Sequence, residues 1–203
     1  MENKTGKRED YISKEELFMN MARLIAKRSK DPNSQVGCVI VSKNDRILSL
    51  GYNGFPNGCS DDEFPWIRED CENQFLNTKY AYVVHAELNA ILNFRGPSLE
   101  DSILYVSLFP CNECCKAIIQ SGIKKVVYGN NKYKDTDSVK ASVRMFEAAG
   151  VELVEYDDRE KRLNRFKSLI NILDNDNINN NASDFCLGII MDNIQENGNV
   201  LLF

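Results

Sequence analysis

The 203-residue chain contains a single histidine, His85, so any chemistry that needs an imidazole has one candidate. Long apolar runs are missing too: no stretch approaches the roughly 18 apolar residues that a membrane-spanning helix requires. The opening segment MENKTGKREDYISKEE lacks the apolar core of a secretory signal, so the expected location is the cytosol or nucleus. An excess of positive charge is also lacking. Lys and Arg number 25 against 30 Asp and Glu, a net charge of -5, which argues against the broad basic footprint of a nucleic-acid binder. Neither nucleic acid nor a membrane is the expected partner; a small ligand is. Proline is sparse, at five residues, and a length of 203 suits one domain.

Cysteine, by contrast, is plentiful. Seven is an odd count, and in a reducing compartment thiols serve metals, catalysis or core packing more often than structural disulfides. Cys38, Cys59, Cys71 and Cys186 have no histidine near them in sequence and read as core or surface thiols.

Ser13 followed by Glu16 forms a capping box, and Leu17, Met21, Leu24 and Ile25 then recur at helical spacing until Asp31-Pro32. The runs 36–41 and 46–52, separated by Ser42-Lys43-Asn44-Asp45, read as a hairpin. Gly, Pro, Asn and Asp are dense after Asn53, and an irregular segment of that length is either disordered or functional. Helices are then expected over 85–94, 111–121, 138–148 and about 158–173, and strands over 103–108, 124–128 and 151–155. Alternation of this kind predicts an α/β sandwich with five strands, parallel in its second half. The domain is expected to span 13–173, after a flexible segment 1–12. The Asn-rich stretch 174–203 is of low complexity and expected to be disordered.

His85 and Glu87 form an H-x-E motif, and Pro110-Cys111-Asn112-Glu113-Cys114 a P-C-x-x-C motif. That combination is the signature of zinc deaminases acting on nucleobases. A catalytic zinc takes three protein ligands and keeps a fourth position open, and one imidazole with two thiolates is an accepted set. His85, Cys111 and Cys114 supply it. Cys111 and Cys114 fall at a helix start, where backbone N–H groups partly compensate thiolate charge. Cys111 with Cys115 would also share a helix face, so Cys115 is the competing ligand, with packing as its alternative role. Residues two apart point in different directions within a helix, so His85 and Glu87 must sit at a helix beginning, and the apparently extended 80–84 stretch supports that. Glu87 is then the general acid/base, transferring a proton from water to the ring and then delivering a second proton to the departing amine.

Beyond the metal motif, RSKDPNSQVG (28–37), GYNGFPNGCSDDEFPW (51–66), TKYAYVVHAELNAI (78–91) and LFPCNECCKAIIQSGIKKVVYGNNKYKD (108–135) resemble the deoxycytidylate (dCMP) deaminase branch of the zinc-dependent cytidine and deoxycytidylate deaminase family. The resemblance runs from about Tyr11 to about Tyr156. Cys115 departs from it, since the family commonly has a small residue there. It implies a cytidine-deaminase-like three-layer α/β/α sandwich with a five-stranded mixed sheet, and hydrolysis of dCMP to dUMP and ammonia. It further implies a zinc ion, a homohexamer, dCTP as activator and dTTP as inhibitor, with Mg2+ accompanying the triphosphate.

The resemblance also implies residue roles. Asn53 is assigned to the deoxyribose, although by its residue type it serves equally as a turn asparagine. Asn33 and Ser34 read as substrate-loop contacts or as turn formers, and Ala86 joins the substrate set. Tyr133 and Lys134, beyond a strand end, are candidates for the phosphate, with a solvated lysine as the plainer reading of Lys134. Asn57 and Gly58, in the 54–62 loop, are the effector candidates, and both also suit a tight turn. Two other classes remain open: a relative acting on cytosine, a riboflavin precursor or tRNA adenosine, and a catalytically inactive nucleotide sensor. An RNA-editing enzyme would carry a basic surface, and a sensor would have no need of Glu87.

Overall fold

The computed structural model describes residues 6–8 and 11–157. Two compact units divide the chain, Met1–Tyr156 and Asp157–Phe203. The expected helix 158–173, the Asn-rich tract and most of the leading segment fall outside the described residues. Among the described residues no helix is long and apolar enough to cross a membrane.

Helix α1 spans Lys14–Ala26, and the Ser13 hydroxyl accepts the Glu16 N–H at 3.1 Å, as the capping box requires. Its buried face differs from the expected stripe. Phe18, Met19, Ala22 and Ala26 face the sheet, whereas Leu24 is 72% exposed among the described residues, and Leu17 is exposed as well. The physical reason is close approach: a Cβ on Gly37 would lie 2.0 Å from the Ala22 carbonyl oxygen and 2.6 Å from the Ala26 nitrogen. Only a helix face with alanines at those turns can seat there, so size overrides periodicity.

Strands β1 (Gly37–Val41) and β2 (Ile47–Tyr52) form the antiparallel hairpin, turning through Asp45 at φ 61°. Strand β3 (Ile103–Val106) pairs antiparallel with β1; β4 (Lys125–Tyr128) and β5 (Glu152–Glu155) extend the sheet in parallel. The order is β2-β1-β3-β4-β5, a five-stranded mixed sheet. Helices α2 (Ala86–Asn93), α3 (Asn112–Gln120) and α4 (Asp137–Ala148) complete the described elements, with α3 and α4 as the crossovers of the parallel part.

Both faces of the sheet are covered, which is why β1 is buried at every position. Cys38, Ile40, Leu104, Val106 and Val126 pack with Ala86, Ala90, Cys115, Ile118, Val139 and Phe146 from α2, α3 and α4. Val39, Val41, Tyr105 and Val127 pack against α1. The result is the expected α/β/α sandwich. Because β2 runs with β3 and β4, the carboxyl ends of these strands and the start of β1 share one edge of the sheet.

Helix α2 lies unusually close to β2. Ser49 Oγ donates to the Ala90 carbonyl at 2.6 Å, the Asn89 amide donates to the Tyr52 carbonyl at 2.8 Å, and a Cβ on Gly51 would sit 2.4 Å from Ala86 O and Ala90 N. Gly51→Ala must push backbone against backbone, an overpacking that costs about 1–3 kcal/mol. Urea unfolding is therefore expected to show a lowered midpoint for this variant with an unchanged slope; a midpoint equal to that of the parent would mean that α2 shifts freely.

Candidate active site

Helices α2 and α3 begin beside each other at the shared edge, and each begins on a metal-binding type of residue. His85 is the N-cap of α2 (φ −72°, ψ 157°) and Cys111 the N-cap of α3 (φ −71°, ψ 170°), and neither side chain caps its own helix. Both side chains are left free for the site. His85 Nδ1 lies 3.3 Å from Cys111 Sγ and 3.4 Å from Cys114 Sγ, and the three donor atoms lie within 4.8 Å of one another. Tetrahedral zinc, with Zn–S about 2.3 Å and Zn–N about 2.0 Å, sets an S···N separation of about 3.6 Å. The donor set fits the ion after opening by a few tenths of an ångström.

The α3 start is held from outside the metal group. The Asn112 N–H donates to Ser138 Oγ at 3.2 Å, and that hydroxyl donates to Asn112 Oδ1 at 2.7 Å, tying the first turn of α3 to that of α4. The sulfurs themselves share protons: the Cys111 thiol is held well below its ordinary pKa by hydrogen bonds from Cys114 and His85, whereas Cys114 is pushed up by Cys111 and by burial. The Cys111 contact correspondingly raises His85. A metal displaces these protons when it binds. Cys115 stands apart: its buried Sγ faces the Ser142 carbonyl at 3.5 Å, and burial pushes its thiol up to about 11. The donor cluster contains Cys114 and not Cys115.

Glu87 lies in the first turn of α2 and is 4% exposed. Burial raises its carboxyl above the ordinary range, partly opposed by the His85 ring, and the carboxyl also contacts the Cys114 thiol. Since His85 is still extended and Glu87 already helical, both reach one cavity of about 340 Å³, despite being two residues apart. The approach to His85 differs from expectation. Lys79–Ala81 is a 3-10 turn, with the Tyr82 and Val83 N–H groups both bonded to the Lys79 carbonyl, and only Val84 is extended, bridging to Gly54. Burial of the Lys79 side chain sets the local backbone here in place of the β-forming residue pattern.

The same cavity is lined by Ser34, Asn53, Ala86 and Tyr133. Asn53 is 5% exposed and is no self-bonded turn residue: Oδ1 accepts the Val36 N–H at 2.8 Å, and the amide donates to the Ser34 carbonyl at 2.9 Å. Asn33 is exposed, its amide donating to the Trp66 carbonyl at 3.3 Å, and neither it nor the exposed Lys134 is among the cavity's lining residues. Asn57 and Gly58 sit in an exposed turn closed by Cys59 N–H to Pro56 carbonyl at 3.0 Å, with Gly58 at φ 90°.

Three charged lining residues escape a reading of the sequence: Asp31, Arg68 and Lys79. Lys79 is paired to Asp31 at 2.5 Å, whereas Arg68, also on the cavity wall, forms no ion pair with a carboxylate among the described residues. Its Nε donates to the Tyr80 hydroxyl at 3.0 Å, and it also interacts with Tyr133. Lys79 lay within the 78–91 motif and Asp31 within 28–37, but Arg68 sits in an irregular segment where no periodicity marks it.

Comparison with known proteins agrees with this geometry. The family model for the cytidine and deoxycytidylate deaminase zinc-binding region matches residues 12–130. The chain is 54% identical to deoxycytidylate deaminase from Homo sapiens over 145 residues, 71% of this chain and 80% of that one. It is 46% identical to the Mus musculus deoxycytidylate deaminase over 177 residues, 87% and 94% of the two chains. Among solved structures, dCMP deaminase from the cyanophage S-TIM5, in complex with dCMP and dUMP, aligns with a TM-score of 0.56 at 31% identity, covering 72% of this chain and all of that one.

Replacing Cys111 or Cys114 with serine is expected to abolish stoichiometric zinc in the purified protein, measured by elemental analysis, because two remaining donors hold the ion too weakly. Cys115→Ala is expected to retain the full zinc content, and its loss of zinc would place Cys115 in the ligand set.

Proposed function

The chain belongs to the cytidine and deoxycytidylate deaminase family, and from that premise we propose that it hydrolyses dCMP to dUMP and ammonia. The observation that carries this reading is a buried carboxylate, Glu87, opening into the same cavity as a His-Cys-Cys donor set. It is a hydrolase acting on a carbon–nitrogen bond of a cyclic amidine, and the dUMP it forms is the substrate class for thymidylate synthesis.

His85, Cys111 and Cys114 would hold the zinc, which supplies Lewis acidity that brings deprotonation of water into the neutral range. Glu87 does the proton work. It takes a proton from the attacking water and delivers it to N3 of the cytosine ring as the C4 centre becomes tetrahedral; it then takes the remaining proton from the new C4 hydroxyl and gives it to the departing 4-amino group, so that C4=O forms as the C4–N bond breaks. Burial raises its proton affinity above that of an ordinary carboxylate, which suits a group that must hold a proton before passing it on. Net, water adds across C4 and ammonia leaves.

Asn53 and Ser34 are the proposed sugar contacts. Both Asn53 amide hydrogens are committed to protein acceptors, while its carbonyl oxygen keeps a lone pair for a sugar hydroxyl. Ala86 packs at the base. For the phosphate, Arg68 with Tyr133 replaces the Tyr133 and Lys134 pairing, because a guanidinium on the cavity wall matches a phosphate in charge and shape. Family resemblance further supports a domain over 13–173, a homohexamer, dCTP activation and dTTP inhibition. The triphosphate, with Mg2+, is proposed at the exposed Asn57-Gly58 turn.

Ammonia release from zinc-loaded protein with dCMP, dCTP, CMP, deoxycytidine and cytosine, with and without dCTP or dTTP as effector, tests the reading. Turnover is expected for dCMP, and Glu87→Ala should reduce it by at least about a hundredfold while zinc is retained. Full zinc with no turnover of any substrate would defeat the enzyme reading in favour of a nucleotide sensor. Arg68→Ala is expected to raise KM for dCMP about tenfold or more and to leave deoxycytidine, which has no phosphate, unaffected.

A further inference from the structure

A chain of buried polar contacts runs along the cavity wall, and neither the metal donors nor Glu87 require it. Lys79 Nζ lies 2.5 Å from Asp31 Oδ2, with the two side chains 7% and 2% exposed. Asp31 Oδ1 accepts the N–H groups of Asn33 at 2.8 Å and Ser34 at 3.2 Å, and the Asn53 amide donates to Asp31 Oδ2 at 3.3 Å. The Gln35 amide also donates to the Asp31 carbonyl. One carboxylate thus holds the Asn33-Ser34 turn and Asn53 together.

Stability alone does not account for such a pair. Taking both charges out of water costs about as much as their attraction returns, and apolar residues of similar volume often do as well. What the pair supplies is geometry. Lys79 belongs to the turn that leads directly into His85, and its N–H donates to the Ile67 carbonyl at 3.0 Å. Asp31 belongs to the loop that carries Ser34. The contact spans 48 positions of sequence and joins the two segments of the cavity lining that carry Ser34 and His85.

We propose that Lys79 is a positioning residue of the deamination: acting through Asp31, it holds Ser34 and Asn53 at the substrate's sugar. This rests on the dCMP deaminase reading above. Lys79 does not touch the reacting atoms; it sets where the sugar contacts stand.

The test compares wild type, Lys79→Gln, Asp31→Asn and the double variant as full-length, zinc-loaded protein, reading zinc content, melting temperature and steady-state kinetics with dCMP. Each single variant should keep its zinc and raise KM about tenfold or more, with kcat changed less than KM. The double variant replaces the ion pair with a neutral amide pair that can still bridge the loops, so its KM should return to within about threefold of wild type. Single variants that melt earlier at unchanged KM would overturn the proposal, as would a double variant whose loss is the sum of the two. If neither single variant folds, the double decides: wild-type KM supports the proposal, whereas a raised KM or an insoluble protein assigns the pair to folding alone. Wild type that fails to turn over dCMP would defeat the functional reading itself, a separate outcome.

Discussion

Two sulfurs and an imidazole have to be held within 4.8 Å of one another, and the start of two helices does the holding. His85 and Cys111 are both N-cap residues, a position whose extended backbone frees the side chain and whose neighbouring N–H groups favour negative charge. Much of the fold serves that juxtaposition. Gly51, Ala86 and Ala90 are small so that α2 can lie against β2, and Asn112 with Ser138 fixes α3 to α4. A bulkier residue at any of these contacts would move a ligand without touching it.

The proposed acid/base group, Glu87, depends on the same arrangement. Glu87 is buried because α2 packs its first turn onto the sheet edge, and burial is what lifts its carboxyl above the ordinary range. One packing interaction therefore sets both the position of the metal donors and the proton affinity of the residue beside them. The opposite wall is built differently, from the Asp31, Asn53 and Lys79 network, in which nearly every donor and acceptor is spent on the protein. Rigid polar walls of this sort hold a substrate by shape with few free groups.

Much of the described fold was legible in advance. All five strands and four of the five expected helices stand within a few residues of their expected places, and the fifth helix lies outside the described residues. The departures have physical causes. The buried stripe of α1 follows Ala22 and Ala26, because contact with Gly37 admits only small residues there, a demand that lies on the partner strand. The stretch before His85 forms a 3-10 turn because Lys79 is drawn inward to Asp31.

His85, Glu87, Cys111 and Cys114 could be read from the sequence by itself, since a metal site built on two helix starts needs fixed residue types at short fixed spacings. Which wall residues face the cavity was decided only by the tertiary structure. Arg68 sits in an irregular segment with no period to reveal its direction, Asn33 and Lys134 turn outward from motifs that suggested otherwise, and Lys79 meets Asp31 across 48 positions. Local spacing constrains neighbours along a helix or strand, whereas contacts between distant loops exist only once the sheet has brought their ends to one edge.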